Sequence, residues 1–203
     1  SQAVITVTLS HASAFAASVN YSSADGSATA GSDYTAVNGT LDFDAQETVQ
    51  SFNVPITNDS VFEGDETVNL SLSAPSGASP GTPASAVLTI NDNDSLPQVR
   101  FSDTDFSVTE GNTNASIGVS LSAASSFPVT VTFGTSDGSA TAGSDYTSVN
   151  QPVTIAAGST STTVDVPISE DALYEGAETV VLTLTNPVSA TLGSPDTATL
   201  TIN

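Results

Sequence analysis

The 203-residue chain carries 22 acidic side chains against one basic residue, Arg100, a formal charge of −21, and it has no Cys, Met, Trp or Lys. This balance argues against nucleic acid or anionic lipid as partners, because phosphate contacts are made chiefly by Lys and Arg. It also leaves no residues for a disulfide framework, a thiolate metal site, a P-loop or a Schiff base, and the single histidine, His11, makes a Ser-His-Asp centre unexpected.

Acidity here does not signal disorder. Hydrophobic residues make up 38% of the chain and charged ones only 11%, with Val, Ile and Thr recurring throughout. No apolar run of about 20 residues offers a membrane span, so no membrane insertion is expected. The start does not have the charged-then-apolar pattern of a signal peptide, which leaves a processed segment or export specified elsewhere.

In chain order, apolar residues alternate with a period of two, the spacing of half-buried strands. Ile5/Val7/Leu9 comes first, followed by the block Asp25-Gly-Ser-Ala-Thr-Ala-Gly-Ser-Asp-Tyr-Thr35. Phe52/Val54/Ile56 leads to an acidic loop with Asp59, Glu63, Asp65 and Glu66. Val68/Leu70/Leu72 and Leu88/Ile90 follow, and Asp92 and Asp94 close this half of the chain. A linker with Pro97 then enters a strand bearing Phe101, Asp103, Asp105 and Phe106, and Glu110 follows that strand.

The pattern then starts again. The eleven-residue block returns unchanged as Asp137–Thr147, an offset of 112, and at that offset residues 7–91 match 119–203 without a gap at 42 of 85 positions. The second set of strands is Ile117/Val119/Leu121, Val164/Val166/Ile168, Val180/Leu182/Leu184 and Leu200/Ile202, with acids at Glu170, Asp171, Glu175 and Glu178. Two tandem domains are expected, 1–94 and 95–203. Each repeat reads as about seven short strands punctuated by Gly, Asn, Asp and Pro turns, so the expected fold is all-β: two immunoglobulin-like antiparallel sandwiches. Segment 92–112 occurs once, and its 21 residues equal the shortfall from two full periods. The chain thus reads as a window on a longer array, with the first repeat lacking its opening strand and the second its closing acidic loop.

The acids gather in loops at strand ends, and alternate loops of a sandwich meet at one end. Two unit charges ~5 Å apart repel by roughly 3 kcal/mol at an effective dielectric of 20. Several carboxylates therefore stay together only if a cation joins them or the loops splay. An all-oxygen, irregular donor set suits Ca²⁺, whereas Mg²⁺ demands a tighter octahedron. Zinc or copper would prefer imidazole or thiolate.

The Asp-Gly-Ser-Ala-Thr-Ala-Gly-Ser-Asp-Tyr blocks, the Phe62-Glu-Gly-Asp-Glu66 block and the strand ending Leu88-Thr-Ile-Asn-Asp-Asn-Asp94 together resemble the Calx-beta domain family. The resemblance spans nearly the whole chain in both copies. It implies a seven-stranded sandwich with Ca²⁺ held at one tip. In the first repeat it implies ligands from Asp25, Asp59, Glu63, Glu66, Asp92 and Asp94, with a main-chain carbonyl from Val61. In the second it implies Glu110, Asp137, Glu170, Asp171, Glu175 and Glu178, with the carbonyl of Leu173. Asn58 and Asn93 stand where the fully acidic pattern has Asp, which lowers the charge of the first set.

Other residues have plainer readings. Asp33 and Asp145 are expected to cap a turn, Asp65 to be a solvated charge, Asp103 and Asp105 to face solvent, and His11 to sit in a loop without a catalytic or ligand role. Pro55 and Pro167 mark an edge strand or a bulge. The favoured function is a calcium-binding structural or adhesive module of a large exported protein, extracellular or at the cell surface and not an enzyme. Its expected partners are neighbouring repeats of the same array, with an unidentified surface ligand as a further possibility. Ca²⁺ on Asp92 and Asp94 would rigidify the junction. The alternative is a homo-polymer, a filament whose subunits complete their first sandwich with a strand from a neighbour. An intracellular calcium regulator ranks third. A hydrolase using paired carboxylates ranks last, for want of aromatic platforms.

Overall fold

Period-two alternation is realised as strands along the whole chain. The structure, a computed structural model, describes residues 1–170 and 175–203, and among these every regular element is a strand. The chain folds as two compact units, one of residues 1–59 and 64–92, the other of 93–203 together with the short segment 60–63.

The first unit contains β1 (Gln2–Thr8), β2 (Ala17–Asp25), β3 (Asn38–Phe43), β4 (Val49–Pro55), β5 (Glu66–Ser76) and β6 (Ser85–Ile90). One sheet is the pair β1-β4 and the other has the order β3-β2-β5-β6, all antiparallel. Alternation decides which side chains enter the core. Phe52 and Val54 of β4, Val68 and Leu70 of β5, and Leu41 and Phe43 of β3 are buried, while their neighbours along each strand face outward. Tyr21 stacks on Phe52 with ring centroids 4.1 Å apart. Pro55 ends β4, an edge strand, so its missing N–H costs no ladder bond.

The second unit repeats this plan and adds to it. Its strands are β7 (Gln98–Phe101), β8 (Asp105–Val108), β9 (Asn114–Leu121), β10 (Val129–Asp137), β11 (Asn150–Ile155), β12 (Ser161–Pro167), β13 (Glu178–Val188), β14 (Thr191–Leu192) and β15 (Thr197–Ile202). The sheets run β12-β9-β7-β14 and β11-β10-β13-β15-β8. Pairing is antiparallel except where β7 meets β14 and β8 meets β15. The single opening strand expected from sequence is broken at Ser102–Thr104, so that its first half joins one sheet and its second half the other. Val99, Phe101 and Val108 from this segment are buried, and Phe101 meets Phe106 and Phe133 edge-on at about 6 Å.

Candidate metal centre

The eleven-residue block fixes the backbone around the acids, and it does so identically in both units. Asp25 ends β2, and its Oδ1 accepts bonds from the Ala30 N–H at 2.9 Å and the Tyr34 hydroxyl at 2.8 Å. In the second unit Asp137 accepts from Ala142 at 3.0 Å and from Tyr146 at 2.7 Å. Both tyrosine rings are fully buried, with only the hydroxyl reaching the loop. Burial first, and then the bond to Asp25, raises the Tyr34 phenol above its ordinary range; the same causes, with Asp137 as partner, push Tyr146 up to about 12.

Two glycines in each block have specific reasons to be glycine. A Cβ on Gly26 would sit 2.4 Å from the Thr67 carbonyl oxygen, and one on Gly138 would sit 2.5 Å from that of Thr179. Gly31 and Gly143 take φ of +99° and +93°, a left-handed turn that other residues adopt only under strain. The turn brings back the second acid of the block. Asp33 Oδ2 accepts from the Thr29 N–H at 2.7 Å, and Asp145 Oδ2 accepts from Thr141 at 2.6 Å. Asp33 is 8% exposed, a buried carboxylate in a chain with almost no cations.

These capping aspartates do more than close a turn. In the second unit Asp145, Glu175 and Glu178 each place a carboxylate oxygen within 4.8 Å of the others. Partial burial first, then repulsion by and a hydrogen bond to Asp145, then the charges of Glu175 and Glu110, hold the Glu178 carboxyl above the usual carboxylate range. In the first unit Asp33 and Glu66 stand within the same distance. Sequence reasoning assigned Asp33 and Asp145 to turn capping alone. The cap is present, and the same side chains face the glutamates that open β5 and β13. Their recurrence at one position of an identical block was the available signal.

The other sequence-predicted residues fall as follows. Asp25, Asp59, Glu66 and Asp92 belong to the first unit, whereas Val61, Glu63 and Asp94 lie in segments that belong to the second. Asp92 is tied down within its unit: its Oδ2 accepts from the Gly64 N–H at 2.7 Å, and its own N–H donates to Asp65 Oδ1 at 3.0 Å. Asp65 thus holds the end of β6 and is more than a solvated charge. Glu110 follows β8, with its N–H on the Asn203 carbonyl at 2.9 Å, and is close enough to influence Glu178. Glu170 Oε2 lies 4.0 Å from where a Cβ on Gly111 would be, which brings it to the turn after Glu110. Asp137 is exposed, with one oxygen used by Ala142 and Tyr146. Asp171 and Leu173 lie outside the described residues. His11 is exposed, its ring nitrogen 3.1 Å from the Ser10 hydroxyl.

The donor set is chemically uniform. Carboxylates and carbonyls are hard oxygen ligands, and a set this anionic with no Lys, Arg or His among its members fits a divalent cation of the Ca²⁺ type.

Comparisons with known proteins agree with this architecture. The Calx-beta domain profile matches residues 1–94 and again 92–203. FRAS1-related extracellular matrix protein 2 of Homo sapiens is 34% identical over 182 residues, which covers 84% of this chain and 6% of that protein. The sodium/calcium exchanger Calx of Drosophila melanogaster is 30% identical over 160 residues, 78% of this chain and 17% of that protein. The crystal structure of CBD12 from CALX1.2 superposes with a TM-score of 0.51 at 22% identity, covering 99% of this chain and 92% of that one. The chain spans only a small part of the two full-length proteins, 6% of the matrix protein and 17% of the exchanger.

Proposed function

This chain belongs to the Calx-beta family, and on that premise we propose that it is a calcium-binding structural module of a large exported protein. The observation that carries this reading is the meeting of Asp145, Glu175 and Glu178 at the start of β13, within 4.8 Å. Like charges held this close by the fold are relieved by a proton or a cation, and burial together with the charges of Asp145, Glu175 and Glu110 raises the Glu178 carboxyl above its ordinary range. Ca²⁺ would be held by these three, with Glu110, Asp137, Glu170, Asp171 and the carbonyl of Leu173 supplying the rest of the shell. In the first repeat the corresponding donors are Asp33, Asp25, Asp59, Glu63, Glu66, Asp92, Asp94 and the carbonyl of Val61. The bound ion supplies charge neutralisation and cross-linking of loops, and no bond is made or broken.

A mechanical role follows from where Asp92 sits. It is the last residue before the linker, and its bonds to Gly64 and Asp65 already anchor that point to the acidic loop. An ion shared by Asp92 and Asp94 stiffens the junction to the next repeat, a property suited to an extracellular or cell-surface array. Kinship with a matrix protein supports this setting.

Thermal unfolding of the 203-residue chain with Ca²⁺ and with chelator tests the binding. Ligand at 100 times its dissociation constant adds ~2.7 kcal/mol, so the melting temperature rises with calcium. Glu178→Gln with Asp145→Asn removes most of the rise in the second repeat. An unchanged calcium response in that double variant refutes the site. Small-angle scattering tests the junction, where an identical maximum dimension with and without calcium refutes the stiffening.

A further inference from the structure

Asp25 and Asp137 use their two oxygens unequally. The hydrogen bonds these side chains accept within the described residues all fall on Oδ1, from Ala30 and Tyr34 in one repeat and from Ala142 and Tyr146 in the other. A carboxylate oxygen offers about two lone-pair directions, so a backbone N–H and a phenol together engage both on each Oδ1. The neighbouring backbone group holds the second acid of the block. Thr29 N–H donates to Asp33 Oδ2, and Thr141 N–H donates to Asp145 Oδ2. One dipeptide thus fixes an oxygen of each of two carboxylates. The tyrosine is the part that backbone cannot replace. Its ring is 1% exposed in the first repeat and 0% in the second. Its main chain is pinned as well: Tyr34 bridges Ile56 and accepts from Gly31 N–H at 2.8 Å, and Tyr146 bridges Ile168 and accepts from Gly143 at 2.8 Å. A buried ring on a pinned backbone leaves its hydroxyl little room to move away from the aspartate.

We propose that Tyr34 and Tyr146 are positioning residues that make Asp25 and Asp137 single-oxygen donors, withholding Oδ1 and leaving Oδ2 as the one oxygen each offers a divalent cation. This inference rests on the calcium-binding reading above and deepens it. Carboxylates bind Ca²⁺ through one oxygen or through two, and the phenol decides between these modes before any ion arrives. It also removes rotation of the carboxylate, so less side-chain freedom is lost when an ion binds. Groups that orient a ligand in this way are worth roughly 10–100-fold in metal affinity. Packing of the ring asks only for an aromatic of this size, which phenylalanine would satisfy. The hydroxyl, present at the same position of both blocks, is the feature that acts on the aspartate.

The test uses the 203-residue chain with its aspartate carboxyl carbons labelled with carbon-13, in CaCl₂ and in chelator. Infrared difference spectra read how the aspartates bind, because two-oxygen coordination narrows the gap between the asymmetric and symmetric carboxylate stretches. Tyr146→Phe and Tyr34→Phe are each expected to add a narrow-gap aspartate signal that the wild type lacks. Calorimetry should show calcium binding by the altered repeat weakened at least about tenfold. A measurement on the wild type needs no variant: the hydroxyl protons of Tyr34 and Tyr146, assigned by magnetic resonance through their ring protons, should be seen in chelator and persist in calcium. Hydroxyl protons missing in chelator or lost on adding calcium overturn the proposal, as do variants whose calcium-induced aspartate bands equal those of the wild type. In each of these cases calcium-induced bands in the wild type leave the cation reading standing. A wild type with no calcium-induced change in any carboxylate band refutes that reading, and the positioning role falls with it.

Discussion

The two repeats share the hydrogen-bond geometry of their eleven-residue blocks and differ in their cores. At the loop end, the carboxylate–tyrosine bond is 2.8 Å in one and 2.7 Å in the other, and the turn cap is 2.7 Å against 2.6 Å. In the body of the sandwich, the second repeat seals Leu200 and Ile202 beneath β8, while Leu88 and Ile90 remain half-exposed. Local hydrogen-bond geometry is therefore set by the eleven-residue block itself and does not depend on a completed core. Burial of the last strand, by contrast, depends on a segment more than ninety residues distant in the chain, Asp105–Val108 for Thr197–Ile202.

Core truncation should widen this contrast most. Leu200→Ala is expected to cost about 2–5 kcal/mol, as for other fully buried leucines, and Leu88→Ala clearly less. Denaturant titration with hydrogen exchange read separately in each repeat checks it, and equal losses would break the comparison. The loop device should give the opposite result. Tyr34→Phe and Tyr146→Phe each remove a hydrogen bond to a carboxylate, about 1.5–3 kcal/mol, and the two losses should agree. A smaller loss in the first repeat would mean that its open core loosens the loop after all.

The gentlest test is alkaline. Tyr146 has a folded pKa of about 12 against an ordinary value near 10, because burial and then Asp137 disfavour the phenolate. The folded state thus holds the proton more tightly than the unfolded state does. Its contribution to stability is complete below about pH 10 and declines as pH rises towards about 12. Ultraviolet absorbance of the phenolate, followed in wild type and Tyr146→Phe, should show this late-titrating group disappear in the variant.

Much of the fold was legible because its signals are local. Alternation gave the strands, and the repeat gave equivalent elements in the two halves of the chain. What was not legible required a partner distant in sequence. The break of the opening strand at Ser102–Thr104 follows from one segment serving two sheets, and nothing in Phe101-Ser-Asp-Thr-Asp-Phe106 announces a change of sheet. Packing of segment 60–63 with the second unit was likewise hidden, although Phe62 gives a reason: its backbone bridges Ser125 and its ring lies 6.1 Å from that of Phe127. At the site, sequence pointed to Glu175 and Glu178 but gave Asp145 a single task. Residue type announces a turn cap plainly, whereas the second face of the same carboxylate becomes visible only when the turn is closed beside β13.

The buried Asp–Tyr contacts have an optical consequence. With no Trp, the near-ultraviolet emission of this chain comes from four tyrosines. Tyr34 and Tyr146 hang their hydroxyls on the carboxylates of Asp25 and Asp137 in the eleven-residue blocks, while Tyr21 lies stacked against Phe52. Any event that redistributes charge on Asp25 or Asp137 therefore alters the ground-state environment of a buried fluorophore in its own repeat. Each sandwich thus contains a buried tyrosine wired to its own eleven-residue block, and exchanging Tyr34 or Tyr146 for phenylalanine removes that contribution in one repeat while leaving the other's readable.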